Sequence, residues 1–511
     1  MKLTNRTVVS RRRLLKSGVA GASALALSQV LASCAVPPPR AAAPAGEAAA
    51  PASSAPAAEG PIALRVCVTG TQQRADTFKK ISEAFEAANA NTKVEWIPIQ
   101  AAEWDEYFGK LVTLIAAGEN IDSSEIATEG MQLIASKNVL RPLDEFVQGD
   151  EEAMKNFFSD VAPQLVEVQM YKGSLYVLPT LWGAATIYYN KALFDQASVA
   201  YPKDDWTVDD FLAAAQKIRA LGDDIYGFGF PNRHWGGLVP WMYINDGGLY
   251  EFGRYEGGDW LWSKFYAGVE SAQGRAGGIN WGAVTANNPA NVEALQFQSD
   301  LIWKHKVAPS PTNLNELAAF MSGGKLGMMP GHRAHTGVLI GAGMKKGDFD
   351  VVQMPKWKTQ RHQFGSSGLS IMKTGKNPDA VWKFIKFQTS PEQMARYVDK
   401  AVHTSSRRSV TNDPKQHEVT GPDNWQVFYN TLDKNPLSTA IPAPVETKDM
   451  TGIFTKYVGL SLANEMPAQD ALANMQKELE ELAKRVRAEV ILEHVNGGGE
   501  AFGERCDANS V

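Results

Sequence analysis

Apolar residues recur along this chain with two alternating periods. In IALRVCVTG, residues 62–70, they run almost without interruption and stop at a glycine, the pattern of a buried strand that ends in a turn. In DTFKKISEAFEAAN, residues 76–89, Phe78, Ile81, Phe85 and Ala88 fall three or four apart with polar residues opposite, which predicts an amphipathic helix. The pair then repeats: TKVEWIPIQ at 92–100 alternates as a strand, and EWDEYFGKLVTLIAAG at 103–118 reads as a helix that Gly118 ends. Further helices are predicted over 207–222, with Thr207 and Asp210 as a capping box and Gly222 as the stop, from 377 in NPDAVWKFIKFQTS, and from 470 in DALANMQKELEELAKRV. Strands interleaved with helices predict an α/β architecture with largely parallel sheets. No internal repeat is visible, and the tail GGGEAFGERCDANSV is predicted to fray.

The first 60 residues follow a different rule. Six basic residues and no acidic one precede Cys34, ahead of a short Gly/Ala/Leu/Ser-rich stretch, which is the anatomy of an export signal. SRRRLLKSG resembles a twin-arginine signal with Arg11 and Arg12 as the pair. LASC at 31–34 resembles a lipobox, in which the chain is cut before Cys34 and its thiol receives a lipid. The apolar stretch from Ser17 to Ser33, interrupted by Ser23, Ser28 and Gln29, falls short of the roughly 20 apolar residues of a membrane-spanning helix. Residues 35–60, almost all Pro, Ala, Gly, Ser and Glu, cannot bury enough apolar surface to repay ordering and are predicted to be a tether. The expected protein is exported, and is held to the outer face of the cytoplasmic membrane, or in the periplasm, by a lipid on Cys34.

Removal of that signal leaves 478 residues with 45 basic and 56 acidic side chains, a net charge of −11. Such a length predicts more than one core, and the balance argues against a nucleic-acid partner. Cys67 and Cys506 could pair, although Cys67 lies inside the first predicted strand, where a small buried hydrophobe is the commoner role. The chain has no CxxC, and His332 and His335 in HRAH lack an acidic ligand beside them, so no metal or cofactor is expected. No nucleophile elbow, Walker loop or HExxH helix is present.

Four separated segments narrow the reading. KGSLYVLPTLWGAATIYYNKALF at 172–194, DDWTVDDFLAAAQKI after it, FMSGGKLGMMPGH at 320–332 and GLSIMKTGKNPDAVWKFIKFQTSPE at 368–392 together resemble, in order, the type 1 extracellular solute-binding proteins of ABC importers, whose best-known members bind maltodextrins and other sugars. The resemblance spans about residues 61 to 485. It implies a two-lobed periplasmic-binding-protein fold of type II, with discontinuous lobes, a multi-strand hinge and ligand held in the cleft. The implied layout is signal 1–33, tether 34–60, one lobe from 61–183 and 363–410, the other from 184–362 and 411–490, and a tail at 491–511. Crossings are placed near Leu181–Ala185, Arg361–Gly365 and Val410. The implied partners are a sugar, oligosaccharide or polyol derivative and a membrane permease, and the protein is expected to be a monomer without enzymatic activity.

A sugar site needs flat aromatic faces and rim groups that donate and accept hydrogen bonds. Trp182, Trp235 and Trp241 are the candidate platforms, each weighed against a core role, with Trp235 and Trp241 set among the glycines of NRHWGGLVPWMYINDGG. The resemblance aligns Glu129 with a cleft acid and places Arg333 where the family has a stacking tryptophan after Gly-Pro. That departure opens the alternative of an anionic ligand bound by a guanidinium fork. Gly365 and Ser367 of GSSG offer amides and hydroxyls near the second crossing, and Arg407, or its neighbour Arg408, lies near the last. The rival class is an exported glycoside hydrolase or lyase using paired carboxylates, which 56 acids leave open.

Overall fold

The computed structural model describes residues 61–70, 72–101, 103–398, 404–418 and 421–496. The twin-arginine pair, Cys34, the tether, Cys506 and the tail from 497 lie outside the described residues.

Two separate sheets organise these residues. The first contains, in spatial order, Thr404–Ser405, Val177–Ala184, Gln363–Met372, Ser123–Ala127, Ile62–Thr69 and Thr92–Ile99, with two further short strands on Gln363–Met372. Its first strand is apolar throughout because both faces are covered. Leu64, Val66 and Val68 belong to one core with Phe78, Ile81 and Phe85 of the Gln72–Ala88 helix, while Cys67 belongs to a second with Tyr107, Phe108 and Leu111 of Trp104–Ala116. The second sheet orders Phe349–Gln353, Thr186–Asn190, Leu326–Gly331 and Tyr226–Phe228. A single residue, Ala185, separates the strand that ends in one sheet from the strand that begins in the other. The chain returns between Gln353 and Gln363.

Neither sheet is largely parallel. Ile62–Thr69 runs parallel to both its neighbours, but Gln363–Met372 is antiparallel to Ser123–Ala127 and to Val177–Ala184, and Thr186–Asn190 is antiparallel to both of its partners. The reason lies in the connections: strands that join lobes re-enter a sheet in the opposite sense, and the apolar pattern of a buried strand carries no information on direction. The capping box forms as expected, with Asp210 N–H donating to Thr207 Oγ1 at 3.2 Å and Thr207 N–H to Asp210 Oδ2 at 2.9 Å. That helix stops at Arg219, before Gly222, and the last helix, Ala468–Asn496, continues past residue 490. Cys67 is fully buried, and burial pushes its thiol up to about 12, so it packs as a hydrophobe.

Candidate functional site

The groups that meet between the two sheets start from Gly365. A methyl built on this residue would lie 3.5 Å from Trp235 Nε1 and 3.8 Å from Glu129 Oε2, so an indole N–H and a carboxyl group converge over bare backbone. Glu129 is in the first turn of the helix Thr128–Ser136, and that turn is pinned to the Gln363–Met372 strand: Ser366 N–H donates to Thr128 Oγ1 at 2.9 Å, and Thr128 Oγ1 donates back to Ser366 O at 3.1 Å. Trp235 comes from the other side. Arg233 Nε donates to the Trp235 carbonyl at 2.5 Å, and Gly236 N–H donates to Gln363 Oε1 at 2.9 Å. Gly236 has φ +69°, a left-handed conformation that lets the chain kink and present the half-buried indole.

Three further side chains complete the surface. Arg233 NH1 reaches Glu103 Oε1 at 3.2 Å, an ion pair between groups from opposite sides. His332 stands edge-on to Trp235, ring centroids 4.7 Å apart, and its ring would touch a methyl on Gly183 at 3.1 Å. Burial raises the Glu129 carboxyl to about 7; its own backbone N–H opposes this, Glu103 adds to it and Arg233 offsets it. Near neutrality this group can therefore accept or donate a hydrogen bond. The arrangement suits a ligand that has an apolar face and a rim of hydroxyls.

Of the residues expected from sequence, Glu129, Trp235 and Gly365 come together. The others do not join them. Trp241 is 1% exposed and packed among Phe211, Phe228 and Phe297, with centroids 5.0–5.9 Å away, so it is a core residue. Trp182 is 5% exposed, packs edge-on against Tyr429 and donates its indole N–H to Ser405 O at 3.0 Å. On that strand the alternation turns Gly183 toward His332 and Trp182 away. Ser367 donates to Glu125 Oε1 at 3.2 Å inside the first sheet, within the strand Gln363–Met372. Arg407 is 5% exposed, donating to Thr389 O at 2.7 Å and pairing with Asp160 at 3.3 Å, and Arg408 pairs with Asp433.

Arg333 is the largest departure. It is fully buried, its NH1 meets His417 Nδ1 at 2.7 Å, NH2 donates to Gln416 O at 3.4 Å, and Nε has no partner. No carboxylate lies within 4.0 Å of it among the described residues, and burial lowers its pKa to about 10, which leaves it charged at neutral pH. An aligned tryptophan position therefore became a buried cation, while the residue before it, His332, took the place beside the cleft. Since a buried charge without a counter-charge is costly, Arg333→Met, of similar length, is expected to leave stability unchanged or raise it by about 1–4 kcal/mol, whereas Arg333→Ala lowers it by about 2–5 kcal/mol through the cavity it leaves. Urea unfolding of the two variants checks this, and a loss in Arg333→Met as large as in Arg333→Ala would show that the charge itself is needed. His332, Arg233, Glu103 and Gly183 were missed by sequence reasoning; the HRAH motif was the available signal for the first, one residue from the position that alignment favoured.

Comparison with known proteins adds four findings. A family model described as bacterial extracellular solute-binding protein matches residues 70–395. A binding protein of Brucella abortus is 25% identical over 328 residues, 63% of this chain and 70% of that relative. Among solved structures, maltose-bound MalE3 of T. maritima superposes with a TM-score of 0.64 at 21% identity, over 82% of this chain and 100% of that one. An ABC substrate-binding protein of Listeria monocytogenes in complex with cycloalternan gives 0.65 at 22%, over 84% and 99%. The described residues thus adopt the two-lobed fold of these proteins.

Proposed function

Because the chain belongs to the bacterial extracellular solute-binding protein family, we propose that it captures a carbohydrate or polyol in the cleft between its lobes and delivers it to the permease of an ABC importer. The observation that carries this reading is the convergence of the Trp235 indole and the Glu129 carboxyl over Gly365, one from each side of the cleft. The maltose and cycloalternan in two structural neighbours support the same ligand class. In this reading one lobe is built from 61–183 and 363–410 and the other from 184–362 and 411–490. The lobes close by hinge motion near Ala185 and between 353 and 363, and contacts from both lobes stabilise the closed state. Burial of Arg333 removes the residue on which an anionic ligand rested, so a neutral ligand is favoured.

A panel of mono- and oligosaccharides and polyols tests the reading. The expected result is a raised melting temperature with one group of related compounds, each recovered unaltered by mass spectrometry. Release of product would instead favour the exported hydrolase or lyase, with Glu103 and Glu129 as its first candidate carboxyls.

Membership of an extracellular family makes the protein an exported one. The finer localisation is part of the proposal: Arg11 and Arg12 direct export, and Cys34 carries the lipid that holds the monomer at the membrane. No helix among the described residues is long and apolar enough to cross a membrane. Cys34→Ala is expected to convert the protein from a membrane-bound to a soluble exported form, or to block its maturation. Fractionation of labelled cells checks it, and unchanged membrane partition would sink the lipid anchor.

A further inference from the structure

We propose that residues 255–278 form a strap between the lobes that stays docked on the lobe of the first sheet and closes one end of the cleft, restricting the ligand to one or two sugar rings. The sugar class rests on the function proposed above; the strap rests on its own contacts.

The strap joins two antiparallel strands, Tyr250–Arg254 and Ile279–Val284. Its base is tied to the lobe of the second sheet, where Gly248 N–H donates at 2.9 Å to Oδ1 of Asn291 on the helix Pro289–Trp303, whose Phe297 packs with Trp241 against Phe228 of that sheet. Its body lies on the other lobe. Glu167, 1% exposed, accepts from Arg254 Nε at 2.6 Å, from Ala276 N–H at 3.2 Å and from Arg275 NH1. Tyr266 donates its hydroxyl to Val161 O at 3.0 Å, and Gly173 N–H donates to Gly277 O at 3.0 Å. Two glycines permit this approach: a methyl on Gly277 would lie 2.5 Å from Gly173 N, and one on Gly278 2.2 Å from Met170 O. Lifting the strap would take Arg275 and Ala276, two of the three donors, from a buried carboxylate, a state that proteins avoid.

The strand that leaves the strap, Ile279–Val284, blocks the cleft. Gln132 is one helical turn, about 5 Å, beyond Glu129 and donates to Ile279 O at 2.6 Å. Ile279 and Trp281 share one small cavity with Thr128 and Met131. A ligand held at Glu129 and Trp235 therefore meets that strand after one turn in this direction and the Glu103–Arg233 ion pair in the other, which leaves room for one or two rings, and opening takes place on the side of the ion pair.

Two measurements on the mature protein test this. In hydrogen exchange without ligand, the amides of Gly173 and Ala276 are expected to be protected like those of the central strands, and exchange as fast as that of exposed loops would overturn the docking. In calorimetry with glucose, maltose and maltohexaose, and with the galacto-, manno- and xylo- series of the same lengths, only one- and two-ring members are expected to bind. A six-ring chain bound as tightly as its two-ring member would overturn the closed end. Binding of none of them refutes the carbohydrate reading and the ring limit drawn from it, while the exchange result alone then decides the strap.

Discussion

Trp235→Ala is expected to weaken ligand binding roughly tenfold to a hundredfold, about 1–3 kcal/mol, with little change in stability. The indole is half-buried, its backbone held through Arg233 and Gly236, with His332 edge-on to it and its Nε1 edge beside Gly365, across which stands the Glu129 carboxyl. Truncation therefore removes a surface that closure presents to a ligand, and leaves the cores intact. Trp241→Ala, six residues on, is expected to do the opposite. It takes a large side chain out of a cluster with Phe211, Phe228 and Phe297, at a cost of about 3–5 kcal/mol in unfolding free energy, and the folded fraction binds as before. Titration calorimetry and urea unfolding on both variants separate the roles. If Trp241→Ala loses affinity while remaining stable, the two assignments are exchanged and the cleft is misplaced.

Stability is expected to fall by several kcal/mol between pH 7 and pH 5. His234, His335 and His362 are buried and held neutral, with burial lowering each to about 3, and burial lowers His417 to about 4. In the unfolded chain they titrate near 6.5, so as pH falls below that value the unfolded state takes up protons that the folded state does not. Each contribution is fully present above the unfolded pKa and amounts to about 2 kcal/mol lost by pH 5. Glu129 acts in the opposite sense. Its carboxyl is raised to about 7, so between about 4.5 and 7 the folded state binds the extra proton and gains stability as pH falls, offsetting about one histidine. Chemical denaturation at pH 7, 6 and 5 should therefore give a net decline, steeper in Glu129→Gln than in the wild type. A flat profile would mean that these histidines reach solvent in the folded protein.

The sequence carried the architecture further than the site because apolar periodicity reports burial directly. Leu64, Val66 and Val68 on one face and Cys67 on the other could be read as a strand covered twice, and Thr207 with Asp210 as a helix start, since both are local facts. Strand direction was not legible, because a buried strand reads the same in either sense. The site was legible where loop chemistry marked it. Trp235 lies among glycines that no ordinary core segment needs, and Glu129 follows a strand into a helix start. It was not legible where a side chain could turn either way. Trp182 and Gly183 are neighbours on one strand, and only the sheet's register decides which of them faces His332. Arg333 begins a helix with φ −50° and ψ −37°, and that turn sends its guanidinium inward to His417. Arg407 and Ser367 likewise have polar partners inside the fold that lie far away in sequence, Asp160 and Glu125.

At the centre of the proposed function is a ligand held between Trp235 and Glu129 above Gly365. A crystal structure of the mature protein, grown with whatever small molecule co-purifies from the native host and is identified by mass spectrometry, tests it directly. The expected density is one or two sugar rings or a polyol, with an apolar face on the Trp235 indole, hydroxyls on Glu129, and residues 255–278 still docked on Glu167. A ligand seated elsewhere, or an anion drawn to Arg333 in an opened core, would contradict it.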